Sequence, residues 1–255
     1  MLAKLFALIE VETINYCNRS CWYCLHGQHK LAKRLIMEDS LIDKTIGDLE
    51  VLKYRGIINW FSANEPLLDS RICDIIAKTK RQVPTCHPRL FTNGDFLTQE
   101  FLDTLFEKGL WQLKISAHDE KTYQRVSRLD FAGRNIKVGA FYRHQRSSFH
   151  NRAGLLKEFA DDKRFLHYNC LRPSLNLVIR YDGQVKLCAE DLTGRTFDEH
   201  LNVRDHTLKE VWFSPEMEHY RELLAQGRRS DLRTCCDCNF HFSASEGWCQ
   251  EIKQG

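Results

Sequence analysis

Three cysteines stand at positions 17, 21 and 24 in the stretch CNRSCWYC. Thiolates at such short spacing are ligands for zinc and for iron–sulfur centres. Both groups commonly take four ligands. Three thiols therefore mean either that a fourth ligand lies elsewhere or that one coordination position stays open. A second set lies far downstream. Cys170 precedes a hairpin-like stretch, Cys188 ends it, and Cys235 and Cys238 form a C-x-x-C within TCCDCN. Cys236 competes with Cys235 as a ligand, and the C-x-x-C spacing favours Cys235. The chain has eleven cysteines in all. An odd, clustered set without an export signal fits metal ligation in a reducing cytoplasm and not a disulfide framework.

The rest of the composition mainly excludes. A formal charge of +3 over 255 residues, with bases scattered as in RHQRSSFHNR, offers no phosphate-tracking groove, so no nucleic-acid partner is expected. MLAKLFALIEVE is interrupted by Lys4 and Glu10, which reads as a buried first strand and not a signal peptide. No run reaches the roughly 18–20 apolar residues of a membrane span, so no membrane association is expected.

The elements that must position these thiols alternate between strand and helix from residue 4 to about 142. LFALIEVE, IINWFSAN, RLFTNG, LWQLKISAHD and NIKVGAFY read as five strands. Between them lie helices: one capped at Asp39–Ser40 and running toward Gly56, one starting near Asp69, one from Thr98 to Gly109, and one through Tyr123. Such alternation means a parallel sheet covered by helices, a full or partial (β/α) barrel, with its chemistry at the carboxyl ends of the strands. The cysteine loop, SANEP, TNGD and SAHD all fall there. The pattern changes near residue 165. LNLVIRYDGQVKLC reads as a hairpin turning at Asp182–Gly183, followed by one helix over roughly Leu208 to Leu224 and the cysteine-rich tail. The expected domains are therefore 1–165 and a small 166–255 unit stapled by metal.

CxxxCxxC directly after a first strand resembles the radical S-adenosylmethionine (SAM) superfamily. The resemblance implies an α/β fold, a partial (β/α)6 TIM-like barrel, and a [4Fe-4S] cluster whose one free iron chelates SAM. Reductive cleavage of SAM then yields a 5′-deoxyadenosyl radical, with an electron donor such as flavodoxin or ferredoxin. On that resemblance Tyr23 takes the aromatic position beside the adenine. Glu65 and Pro66 in SANEPLL match the segment that binds the SAM amino group, with Ala63 and Asn64 in place of its glycines. Asn93 in TNGD, and Ser116 and His118 in KISAHD, fall at strand ends that hold SAM. Cys170, Cys188, Cys235 and Cys238 resemble the ligands of the twitch module, a half-length SPASM extension with one auxiliary [4Fe-4S] cluster. Each of these residues alone would read as an ordinary strand-end or loop residue.

KLFALIEVE, CNRSCWYC, TNGDFLT, NRAG and the tail are similar to the 2-deoxy-scyllo-inosamine dehydrogenases, twitch enzymes of aminoglycoside biosynthesis; radical epimerases such as neomycin C epimerase are also of the twitch type. An amino sugar or aminocyclitol is the substrate this implies, with Arg152 reaching its hydroxyls. Phe91 departs from that pattern, in which a tyrosine precedes T-N-G. Cys249 is a thiol left over after seven ligands are assigned. As a hydrogen-atom donor it would make the enzyme an epimerase, the outcome this reading leans to. Oxidation of the same alcohol to a ketone is the alternative. Peptide modification is a third reading, and a non-catalytic zinc-binding interaction module a fourth. Cys73 reads as core, Cys86 has no assigned role, and His26 and His29 read as loop polar groups.

Overall fold

Side chains alternate between the two faces of a strand, and this sheet is built on that sorting. The computed structural model describes residues 5–28, 33–144, 149–159, 166–192, 194, 196–197 and 201–240. In chain order the elements are β1 (Leu8–Val11), α1 (Leu25–Gln28), α2 (Asp39–Val51), β2 (Ile57–Asn59), α3 (Ile72–Gln82), β3 (His87–Thr92) and α4 (Gln99–Glu107). They continue with β4 (Gln112–Ala117), α5 (Glu120–Val126), β5 (Ile136–Ala140), β6 (Asn176–Ile179), β7 (Val185–Lys186), α6 (Leu208–Trp212) and α7 (Pro215–Ala225). Among the described residues the strands form one sheet in the order β5-β4-β3-β2-β1-β6-β7. β1 to β6 pair in parallel, and β7 returns antiparallel to β6.

One face of this sheet is apolar. Ile9 and Val11, Ile58 and Trp60, Leu90, Leu113 and Ile115, and Leu177 and Ile179 pack in one core with helix residues such as Ile42, Ile46, Leu49, Ile72, Ile76, Leu102 and Leu105. Burying each such side chain contributes about 1.5–3 kcal/mol. The other face is polar. Glu10, Asn59, Arg89 and Gln112 stand in register across β1 to β4 and are all buried. Asn59 Nδ2 donates to Glu10 Oε1 at 3.2 Å, and Arg89 Nε to Asn59 Oδ1 at 2.8 Å. Parallel sheets are usually apolar on both faces. A polar inner face in a partial barrel instead leads to a cavity with polar side chains at the strand ends.

The five N-terminal strands, the Thr98 cap and the hairpin at Asp182–Gly183 form as the sequence predicts. The Thr98 side chain accepts from Phe101 N, and Gly183 turns with φ +85°. Three details differ. The α2 N-cap is Glu38, which makes no side-chain cap bond, and Asp39 is the first helical residue. The helix expected over Leu208–Leu224 is two helices, because Ser214 caps a new start at Pro215, whose ring and missing N–H cannot continue α6. The first strand of the hairpin is β6, the sixth parallel strand, lying beside β1, so the sheet itself runs across residue 165.

Candidate active site

Strand β1 delivers the cysteine loop to the carboxyl edge of the sheet, and a short network fixes it there. Arg19 Nε donates to Asp95 Oδ2 at 2.7 Å, and its Nη2 reaches Asp95 and Asp119, each at 2.5 Å. Asp95 follows β3 and Asp119 caps α5 after β4, so one guanidinium clamps the loop to two strand ends. Arg19 in turn holds Asp119 down to about pKa 2. The chain then turns tightly, with Cys24 N donating to Cys21 O at 3.0 Å. Gly27 lies so close that a Cβ there would sit 1.9 Å from the Cys21 carbonyl oxygen. Only glycine permits that approach.

Cys17, Cys21 and Cys24 line one cavity of about 230 Å³, together with Tyr23, Asn64, Glu65, Asn93, Ser116, His118 and Arg152. The structure thus gathers nearly all the N-terminal residues singled out in the sequence. Burial pushes the Cys17 thiol up to about 11, while Arg19 N at 3.4 Å and Asn93 Nδ2 at 3.8 Å donate toward its sulfur. Those donors favour a thiolate once a cation compensates it. Glu65, also buried, accepts from Leu67 N, Thr92 Oγ1 and Asn93 N, and burial raises its pKa to about 7. Both of its oxygens are thereby engaged, and it brackets the 62–65 loop against β3, with Pro66 opening the next turn. Asn64 Nδ2 beside it is buried with no hydrogen-bond partner. The Tyr23 hydroxyl meets His118 Nδ1 at 2.5 Å. Burial, then Arg19, lowers His118 to about pKa 4, leaving a neutral imidazole. His26 bonds the Ala63 carbonyl, a loop role. His29 lies outside the described residues.

Arg152 reaches this cavity from a strained turn. Arg152, Ala153 and Gly154 all have positive φ, +51°, +51° and +84°, at a cost of order 1–3 kcal/mol per strained non-glycine residue. Fully buried Asn151 holds the turn: its N donates to Asn239 Oδ1 at 2.7 Å, and Asn239 N donates back at 3.2 Å. The guanidinium bonds Tyr23 O at 3.3 Å and Glu190 Oε2 at 3.2 Å. Buried Glu190 also binds Arg172 and His150, each at 2.6 Å. Burial opposes its charge, but Arg152, Arg172 and His150 outweigh that and hold its carboxyl well below the usual range.

The second thiol set converges as well. Burial raises the Cys235 pKa, and Cys188, Cys238 and Cys170 act in the same direction from nearby. Cys188 is raised likewise by burial, against Arg172, with Cys238 and Cys170 adding to the rise. Cys236 instead turns its thiol to Arg233 O at 3.3 Å. Among the described residues no three His, Cys, Asp or Glu side chains are set to hold one metal ion. Four half-buried thiols gathered together fit a multi-iron group that binds them as thiolates, and three thiols around a cavity with an orphaned amide fit an open one. Cys73 and Cys86 belong to the core, and Cys249 lies outside the described residues.

Residues 11–131 match the sequence model of the Radical SAM superfamily, and residues 170–239 match SPASM, an iron–sulfur cluster-binding domain. The chain belongs to the radical SAM superfamily. This radical SAM enzyme uses SAM and [4Fe-4S] clusters as its cofactors, which removes the zinc-module reading. It is 28% identical over 240 residues, 92% of this chain and 94% of the relative, to the S-adenosyl-L-methionine-dependent 2-deoxy-scyllo-inosamine dehydrogenase of Niallia circulans. The crystal structure of BtrN in complex with AdoMet and 2-DOIA superposes with a TM-score of 0.81 at 27% identity, covering 94% of this chain and 95% of that one. Native anSMEcpe with bound AdoMet shares the fold, at a TM-score of 0.57 and 14% identity over 97% and 95% of the two chains. Among the described residues of this radical SAM protein, no helix is long and apolar enough to cross a membrane.

The sequence reading missed Arg19, Gly27, Asn151 and Glu190. Asp95 and Asp119, each ending a strand motif opposite an arginine in the cysteine loop, were the available signal for Arg19. Glu190, two residues after Cys188, carried none until Arg152, Arg172 and His150 were brought to it.

Proposed function

We propose that this enzyme oxidises a hydroxyl-bearing carbon of an amino sugar or aminocyclitol to the ketone. The observation that carries this reading is the likeness, over nearly the full length of both chains, to a SAM-dependent dehydrogenase of such a substrate. Cys17, Cys21 and Cys24 hold the open cluster, and Cys170, Cys188, Cys235 and Cys238 the auxiliary one. When bound, these cofactors supply a 5′-deoxyadenosyl radical that abstracts hydrogen and a store for the electron that follows.

The chain's own residues position the reactants. Tyr23, Ser116 and His118 form the wall on which SAM rests, and the neutral His118 and Tyr23 fix each other's orientation. Glu65, Pro66 and Asn93 set the backbone that meets the amino acid end of SAM, where Asn64 Nδ2 is left to donate. Arg152 binds the substrate hydroxyl. Its strained turn and its tie to Glu190 remove the freedom of a long side chain, so the target C–H is presented at near-attack distance. Flavodoxin or ferredoxin is the class of electron donor the first site requires.

Inversion is the second reading, and Cys249 favours it. A thiol beyond the seven ligands can return hydrogen to the carbon radical from the opposite face, because an S–H bond is weaker than a carbinol C–H bond. Turnover in deuterium oxide, with SAM, a reductant and a panel of aminocyclitols and aminoglycosides, separates the two. Oxidation is expected to give a product lighter by about two mass units. A product heavier by about one unit, with a carbon-bound deuterium lost in Cys249→Ala, would mean an epimerase.

A further inference from the structure

A buried positive charge needs a negative one nearby, and the C-terminal region contains two buried arginines that point to where it lies. Arg229 is 1% exposed. Its Nε donates to Tyr168 O at 2.9 Å, Nη2 to Asn169 O at 3.2 Å and Nη1 to Phe240 O at 2.6 Å. Each nitrogen thus ends on a backbone carbonyl, which satisfies the hydrogen bonds but leaves the charge whole. Those carbonyls lie just before Cys170 and just after Cys238. Arg172 is buried too, and its surroundings repeat a pattern. It stands two residues after Cys170, binds Glu190, two after Cys188, and lies 4.7 Å from the ring centre of Phe240, two after Cys238. Glu190 is shared with Arg152, so this carboxylate faces two guanidinium groups, and the buried Glu10 is the second carboxylate acting on Arg172.

We propose that Arg229 and Arg172 are the counter-charges of the iron–sulfur group held by Cys170, Cys188, Cys235 and Cys238, and that they raise its reduction potential. The proposal rests on the ligand assignment made above. Thiolate-ligated iron–sulfur groups carry net negative charge, and one-electron reduction adds to it. In a dry surrounding of low dielectric, a fixed cation stabilises the reduced state more than the oxidised one. Arg229 is tied to the carbonyls of Tyr168, Asn169 and Phe240, which flank Cys170 and Cys238, and Arg172 to the carboxylate that follows Cys188, so both charges are fixed beside the ligand residues. The two arginines therefore prepare this region to receive an electron, which the oxidation of an alcohol to a ketone demands.

The test uses the full-length chain carrying Cys17→Ala, Cys21→Ala and Cys24→Ala, so that only the auxiliary group remains. A mediated redox titration followed by electron paramagnetic resonance reads its midpoint, with iron content measured alongside. Arg229→Met is expected to move the midpoint to more negative potential, and Arg229→Lys to leave it near the parent's. Arg172→Met should shift it the same way by less, since Glu190 already neutralises part of that charge. If Arg229→Met does not hold iron, Arg172→Met decides. Midpoints equal to the parent's at normal iron content would overturn the counter-charge role while leaving the ligands as assigned. A parent that holds no iron would instead sink the ligand assignment.

Discussion

The two cysteine sites are built from the same side chain and differ in everything around it. Cys17, Cys21 and Cys24 sit on a loop at the mouth of a cavity, among amide, hydroxyl and imidazole groups, and the clamp that holds the loop is a partly exposed Arg19 with Asp95 and Asp119. Cys170 and Cys235 pack against the hydrophobic core, and Cys188 lies beside Arg172. One site has donors left over for a ligand; the other has its charge enclosed by protein. The difference teaches that the number of thiols is the lesser part of a site's character. Whether the remaining neighbours are hydrated or buried decides whether a small molecule can enter or only an electron can.

Substitution of single cysteines gives the largest effect and the sharpest contrast. Cys21→Ala is expected to cut iron from about eight to about four per chain and to abolish reductive SAM cleavage. Cys235→Ser should lose a similar amount of iron yet still form 5′-deoxyadenosine, while Cys236→Ser should keep its full iron. Equal loss of SAM cleavage in Cys21→Ala and Cys235→Ser would break the division between an open site and an enclosed one.

Arg152 joins the two regions, and its removal is the next effect in size. Arg152→Met should lower product formation roughly 100-fold, the order expected when a reacting carbon is misplaced by about 1 Å. Cleavage of SAM without substrate should be little changed. A parallel loss of uncoupled 5′-deoxyadenosine would place Arg152 in SAM binding instead.

The smallest effect is on the pH dependence of stability in the metal-free protein. Glu65 has a folded pKa raised to about 7, so its contribution to stability is complete below about pH 4.5 and is lost as pH rises toward 7. The integrated effect is at most about 3 kcal/mol. His118 is lowered to about 4, so it acts oppositely, costing stability as pH falls from about 6.5 to 4, and solvent screening makes its share smaller. Stability from denaturant unfolding between pH 4 and 7 should therefore fall only modestly with rising pH in the parent, His118 offsetting part of the Glu65 effect. It should rise with pH in Glu65→Gln and fall more steeply with pH in His118→Asn. Unchanged slopes in both variants would refute the pair of shifts.

Much of the first site was legible because its chemistry is local. Three thiols within eight residues, and strand-end motifs such as SANEP, TNGD and SAHD, announce themselves without any knowledge of what faces them. The strand alternation likewise fixed where those ends would gather. The single helix read over Leu208–Leu224 failed because amphipathic spacing continues through Ser214–Pro215, where backbone chemistry does not. Glu190 and Arg229 were illegible for a different reason. A buried ion is defined by the partners folding brings to it, and theirs come from residues 150 to 172 and 168 to 240. The place of β6 was hidden likewise, since a strand that opens a hairpin can equally well complete a distant parallel sheet.

That strand has a consequence for how the protein is made. Leu8 lies opposite Asn176, and Val11 opposite Ile179. Synthesis runs from the N-terminus, so β1 leaves the ribosome early and gains β2 soon afterwards, while its other edge waits for most of the chain to follow. Unpaired strand edges recruit other strands, and pairing over so long a separation is slow. The cysteine loop hanging from β1 is thus translated well before the strand that completes its frame. Iron loading of the first site should follow the folding of the C-terminal region, and overexpression that outruns it should fail by aggregation before it fails by lack of iron.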